Sequence, residues 1–175
     1  DLMTMGKPIG GGVPVGTFGM TERVADLIAR KIEMEDVDVG GIGGTLAGNP
    51  LSMAAMRATL TEVLTEEAYA RMIPLGDRWA DGVDAVTAEH GLGWHCNRLG
   101  ARGEYNFSPT APRTGAEANA AGDFGLEQYL HLFALNRGVL MTPFHNMALM
   151  SPATTAEDVD RHTEVFREAA AALVG

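Results

Sequence analysis

Lys7 lies in Met5-Gly6-Lys7-Pro8-Ile9-Gly10-Gly11-Gly12, between an apolar run and three consecutive glycines. Lys7 and Lys31 are the only lysines, and arginine supplies the rest of the 13 basic residues. A surface that needs cations here uses arginine, so a lysine at this point asks for a chemical reason. A partly desolvated lysine amine loses its proton readily and can attack a carbonyl carbon to form a Schiff base. The run Asp1-Leu2-Met3-Thr4-Met5 reads as a short buried strand that delivers Lys7 at its carboxyl end. Open α/β sheets place their ligands there. A plain surface lysine at a strand end is the competing reading.

The second candidate is Gly40-Gly41-Ile42-Gly43-Gly44-Thr45-Leu46-Ala47-Gly48-Asn49-Pro50. It is not a dinucleotide fingerprint, because Leu46 stands where the third glycine belongs. A phosphate-binding P-loop fails too, since Pro8 follows Lys7 where serine or threonine is needed. What survives is a loop ending in Thr45 that offers a hydroxyl and backbone N–H groups to a phosphate beside a helix start. A flexible connector is the alternative.

Both candidates need elements to hold them. Thr21 with Glu22 behind it predicts a helix cap and a helix to about Arg30. Asn49 is a good N-cap and Pro50 suits the first helical position, so a helix opens there with Met53, Met56, Leu60 and Leu64 on one face. Thr65 caps a long helix whose apolar positions Ala68, Met72, Leu75, Trp79, Val83 and Val86 recur by threes and fours. Pro74 should kink it, and Gly91 or Gly93 should end it. Residues 96–108 read as paired strands turning at Gly100 or Gly103. A helix over 124–136 closes at Gly138. Val139–Thr142 and Met147–Ser151 read as strands around Pro143-Phe144-His145-Asn146. Thr154 and Glu157 form a capping box for a last helix with Val159, His162, Phe166, Ala169 or Ala170, and Leu173 inward.

The texture changes near residue 65, from glycine-rich strands and loops to long amphipathic helices. Two domains follow, residues 1–64 and 65–175, α/β leading into a smaller α+β unit. At 175 residues with 46% hydrophobic and 21% charged side chains, a packed core is attainable. A net charge of −10 argues against nucleic acid or an anionic membrane as partner. No apolar run approaches the ~20 residues of a membrane span. One cysteine, Cys96, excludes an internal disulfide framework and fits a reducing, cytoplasmic compartment. The opening in mid-strand suggests a preceding amino-terminal part.

Taken together, Gly6-Lys7-Pro8-Ile9-Gly10-Gly11-Gly12-Val13-Pro14-Val15-Gly16 and Gly44-Thr45-Leu46-Ala47-Gly48-Asn49-Pro50 resemble the class III aminotransferases, within them the glutamate-1-semialdehyde aminomutase branch. Arg137-Gly138-Val139-Leu140-Met141 is similar to that family's entry into the small domain. The resemblance implies a pyridoxal-phosphate-dependent transferase of fold type I, seen here as the end of its large domain plus its small carboxyl-terminal domain. It implies that Lys7 holds pyridoxal 5′-phosphate as a Schiff base and then shuttles a proton, while the cofactor acts as electron sink. It implies that Thr45, with Gly44, binds the cofactor phosphate across a homodimer interface. It also implies that the remaining cofactor contacts precede this chain.

Departures from the family bear on substrate. Pro143-Phe144-His145-Asn146-Met147-Ala148-Leu149-Met150 lacks the glutamate of the aminomutase segment, which sets the reading toward amino-group transfer between small amines or β-amino acids and keto acids or ketones. Aminomutase activity is the alternative, and a non-catalytic dimerisation fragment the alternative of another class. Relatives acting on β-amino acids place an arginine near Phe144, and Phe144 cannot form its bidentate pair with a carboxylate. Arg102 is a possible substitute anchor, and His145 could line the entrance. His90, His95, His131 and His162 show no metal-ligand spacing, so no metal is expected. Cys96 near Trp94 reads as packing rather than a nucleophile.

Overall fold

The computed structural model describes residues 1–32, 46–143 and 145–175. They divide into two compact units, Asp1–Thr65 and Glu66–Gly175.

In the first unit, β1 (Leu2–Gly6) pairs antiparallel with β2 (Gly16–Met20), in register from Leu2↔Met20 to Gly6↔Gly16. A 3-10 turn, Lys7–Gly10, leaves β1 directly. The strand expected to be buried is exposed: Leu2, Met3 and Met5 keep 67%, 59% and 46% of their surface. Its apolar composition led to that expectation, but β2 is its sole ladder partner among the described residues, so both faces stay open. Helix α1 (Glu22–Ile32) starts as foreseen, the Thr21 carbonyl accepting from the Val24 and Ala25 N–H groups at 3.0 Å. The Thr21 hydroxyl does not cap it and donates to Asp1 instead.

Helix α2 (Pro50–Ala58) is capped by Asn49, whose side chain accepts from the N–H groups of Leu51 at 3.0 Å and Ser52 at 3.3 Å. It runs into a π turn, Thr59–Val63, closed by the Leu64 N–H on the Thr59 carbonyl at 2.9 Å. The wider turn breaks the 3.6-residue period. Thr59 is therefore the buried residue, while Leu60, expected inward, is 46% exposed.

In the second unit, α3 (Glu66–Glu89) runs through Pro74 as one helix and buries Ala68, Met72, Trp79, Val83 and Val86, the face its periodicity predicts. Strands β3 (His95–Leu99) and β4 (Arg102–Asn106) form a hairpin that turns at Gly100, and β5 (Met147–Leu149) pairs with β4 to give the order β3-β4-β5. Along β4 the alternation turns Gly103 and Tyr105 inward and leaves Arg102 exposed. Gly103 lies so close to α3 that a Cβ would sit 2.5 Å from the Trp79 ring. Helix α4 (Gly115–Ala120), capped by Thr114, had no sequence expectation. Helix α5 (Phe124–Leu135) and helix α6 (Ala156–Val174) complete the unit.

Its core joins Trp79, Val83 and Val86 to Cys96, Tyr105, Val159 and Phe166. Arg78 grips Asp160 in a bidentate pair, Nε–Oδ1 2.6 Å and Nη2–Oδ2 2.8 Å, tying α3 to α6. Three expectations fail here. Residues 139–142 are not a strand: they enter no ladder among the described residues, and Leu140 is 76% exposed. The last helix is capped one residue later, by Thr155 with Asp158, because the Thr154 hydroxyl is already taken by the Ser151 N–H at 2.9 Å. Leu173 stays 39% exposed, and Val165 joins the core instead. No helix of the described residues is long and apolar enough to cross a membrane.

Candidate active site

Lys7 stands at the carboxyl end of β1 with φ 54°, the one non-glycine residue in the left-handed region among those described. A side chain in that region costs about 1–2 kcal/mol, and such strain clusters at functional sites when the surroundings enforce it. The enforcement is visible in the glycine run. Gly10 is buried beneath Val15, whose Cγ1 would be 2.3 Å from any Cβ at that position. Gly11 has φ 57°, and a Cβ there would meet the Thr59 hydroxyl oxygen at 2.7 Å. Gly10 and Gly11 are thus required by close packing in the loop that follows Lys7.

Lys7 itself is exposed. The desolvation expected from the sequence is not supplied by the described residues of this chain. It has no hydrogen bond or ion pair among them, so its amine is free to bond elsewhere. A cofactor aldehyde fits this arrangement: a primary amine on a strained, braced backbone, without a competing carboxylate.

Gly44 and Thr45, the expected phosphate ligands, lie outside the described residues, as does Phe144. The helix start beside that loop offers less to an anion than the sequence suggested. Pro50 has no N–H, and Asn49 already holds those of Leu51 and Ser52.

Arg102 and His145 belong to the second unit, Lys7 to the first. The Arg102 guanidinium is paired through Nη2 with Glu104. His145 is exposed and borders a cavity of about 20 Å³ beside Tyr105, His131 and His162, too small for a substrate. His162 is packed against the Trp79 ring, 5.2 Å between centroids, and burial pushes its imidazole down to about 4. Its Nδ1 and the Trp79 Nε1 are buried without a hydrogen-bond partner among the described residues. Burial, then Asp84, push the Cys96 thiol up to about 12, so it is inert packing rather than a nucleophile. The described residues hold no cluster of three or more potential metal ligands among His, Cys, Asp and Glu. Sequence reasoning missed Ser52, whose hydroxyl reaches the Pro14 carbonyl at 3.0 Å across the chain. Its only signal was its place one turn into a capped helix.

A mixed α/β chain that offers a lone lysine after a strand has close counterparts among solved structures. A glutamate-1-semialdehyde-aminomutase from Pseudomonas aeruginosa PAO1 is similar at 47% identity and a TM-score of 0.90, over 97% of this chain and 38% of that one. Another structure of such an enzyme from that organism, a lysine-to-alanine variant, is in complex with PMP. An omega-transaminase from Sphaerobacter thermophilus aligns over 100% of this chain and 39% of its own, at 25% identity and a TM-score of 0.76. These likenesses define the class: the fold is that of the pyridoxal-phosphate-dependent transferases of fold type I. Residues 1–170 match the family described as aminotransferase class-III, and the chain belongs to that family. Among curated relatives, glutamate-1-semialdehyde 2,1-aminomutase 1 of Staphylococcus carnosus is 37% identical over 169 residues, 95% of this chain and 37% of that protein. The chain therefore spans under two-fifths of the length of these relatives.

Proposed function

We propose that this chain is the lysine-bearing part of an aminotransferase that binds pyridoxal 5′-phosphate at Lys7 and moves amino groups between small amines and keto acids. The observation that carries the reading is the Lys7 amine, exposed and unpaired among the described residues on a left-handed backbone. When bound, the cofactor supplies an electron sink that makes the carbon next to the substrate nitrogen acidic. Lys7 Nζ would hold the cofactor by condensing with its aldehyde, with loss of water. The same amine would serve as the base that takes up and returns a proton at the substrate carbon. The β1–β2 ribbon and the braced glycine loop orient Nζ for both tasks.

Thr45 and Gly44 are proposed to hold the phosphate from the partner subunit of a homodimer, which would make the site a shared one. Residues 1–64 are proposed as the end of the cofactor-binding domain and 65–175 as the small carboxyl-terminal domain. A reducing, cytoplasmic setting accords with a single buried thiol. An apolar Phe144 favours amines, or substrates whose carboxylate is held elsewhere.

A second reading has its own support. The relatives at 37% and 47% identity bear the aminomutase name, so transfer within one bound molecule is the alternative. Lys7→Ala is expected to abolish the yellow visible band of the cofactor-loaded protein, and a band that persists refutes the Lys7 assignment. Product formed from a single amino substrate with no separate acceptor would decide for the mutase.

A further inference from the structure

The loop from Lys7 to Val15 hangs between Gly6 and Gly16, which face each other at the end of the β1–β2 ribbon. Inside it, Gly11 N–H donates to the Pro8 carbonyl at 3.2 Å and Val13 N–H to the Gly10 carbonyl at 3.0 Å. Those bonds shape the loop but do not anchor it. Anchoring comes from α2 and the π turn after it. Thr59 blocks the loop at Gly11, and the Ser52 hydroxyl donates to the Pro14 carbonyl at 3.0 Å. Ser52 is itself fixed, since its N–H is held by the Asn49 cap. The helix needs only that N–H at this position, so the hydroxyl is spare as far as α2 is concerned. Lys7 has no partner of its own among the described residues, so the loop sets the position and direction from which its side chain starts.

We infer that Ser52 is a positioning residue for the Lys7 amine, acting through the Pro14 carbonyl to hold the loop in the conformation that keeps Lys7 left-handed. This rests on the reading of Lys7 as the carrier of pyridoxal phosphate. Losing one neutral hydrogen bond changes an equilibrium by roughly 2- to 10-fold. The quantity it would change is the balance between cofactor bound to Lys7 and cofactor with its aldehyde free.

The test compares the wild-type holoenzyme with Ser52→Ala, Ser52→Thr and Lys7→Ala. Pyridoxal 5′-phosphate is titrated into each apoprotein while the yellow band is read, and the band is then followed across pH. Ser52→Ala is expected to raise the half-saturating concentration about 2- to 10-fold and to shift the pH midpoint of the band. Ser52→Thr, which keeps the hydroxyl, is expected to restore both. A wild-type half-saturation and midpoint in Ser52→Ala would overturn the inference. So would a lowered melting temperature with an unmoved midpoint, which would assign Ser52 to stability alone. Equal damage in Ser52→Thr would also overturn it. Lys7→Ala reports separately on the parent reading: if it stays yellow, the Lys7 assignment fails whatever Ser52 does.

Discussion

Two positions of the second unit show how closely single residues are fitted. Gly103 has no room for a methyl group, because the Trp79 ring occupies the space 2.5 Å from where a Cβ would be. Gly103→Ala should lower stability by roughly 1–3 kcal/mol through overpacking, readable as a drop in the urea midpoint. His162 is wedged between the rings of Trp79 and Phe166, and burial alone pushes it from 6.5 down to about 4. The folded state therefore binds fewer protons than the unfolded chain between those values. Stability should be full above pH 6.5 and fall by about 3 kcal/mol as the pH drops toward 4. Denaturant titrations at several pH values should show that slope, and His162→Leu should flatten it. Asp158 and Asp160 are both held below the usual carboxylate value, by the Thr155 N–H and by Arg78, so their losses come at lower pH and remain distinguishable. The chemistry of Lys7 was legible from residue type and neighbours, but its left-handed backbone was not. That conformation arises from Val15 over Gly10 and Thr59 against Gly11, contacts between residues the sequence does not mark as neighbours.

Elements were legible where their period was long. Helix α3 shows its buried face in the sequence, since six apolar positions recur over about five turns. Short segments were not, because competing local signals decide them. Thr154 and Thr155 both stand three residues before an acid, Glu157 and Asp158, and both spell a capping box. The choice went to Thr155 because a neighbouring turn occupies the Thr154 hydroxyl. Thr155→Ala should therefore cost about 1 kcal/mol, while Glu157→Ala should leave the thermal midpoint nearly unchanged. Residues 139–142 are β-branched and apolar enough to suggest a strand, yet a strand exists only with a ladder partner. The π turn after α2 was equally invisible, because nothing in Thr59–Val63 forbids an ordinary helix.

At the scale of the molecule, the two units are differently equipped. The second has a contiguous core in which Trp79, Val83 and Val86 are almost wholly buried, and the first has apolar strands open to solvent. In this chain, amide hydrogen exchange should be slowest in α3 and α6 and fast along β1 and β2. Equal protection of the ribbon and the helices would contradict that account. The family was legible from two glycine-bearing motifs, and in the first Gly10 and Gly11 answer a packing demand that few residues meet. Substrate was not legible, since the pairing of Arg102 with Glu104 joins residues whose ion pair no motif announces.

Cys96 has a practical consequence. It is the sole thiol in the sequence and is sealed in the packed interior of the second unit, only 6% exposed. A thiol-directed dye added to the native protein can react only when that interior comes apart. The labelling rate thus counts spontaneous openings, giving the molecule a built-in clock for its own breathing with no substitution required.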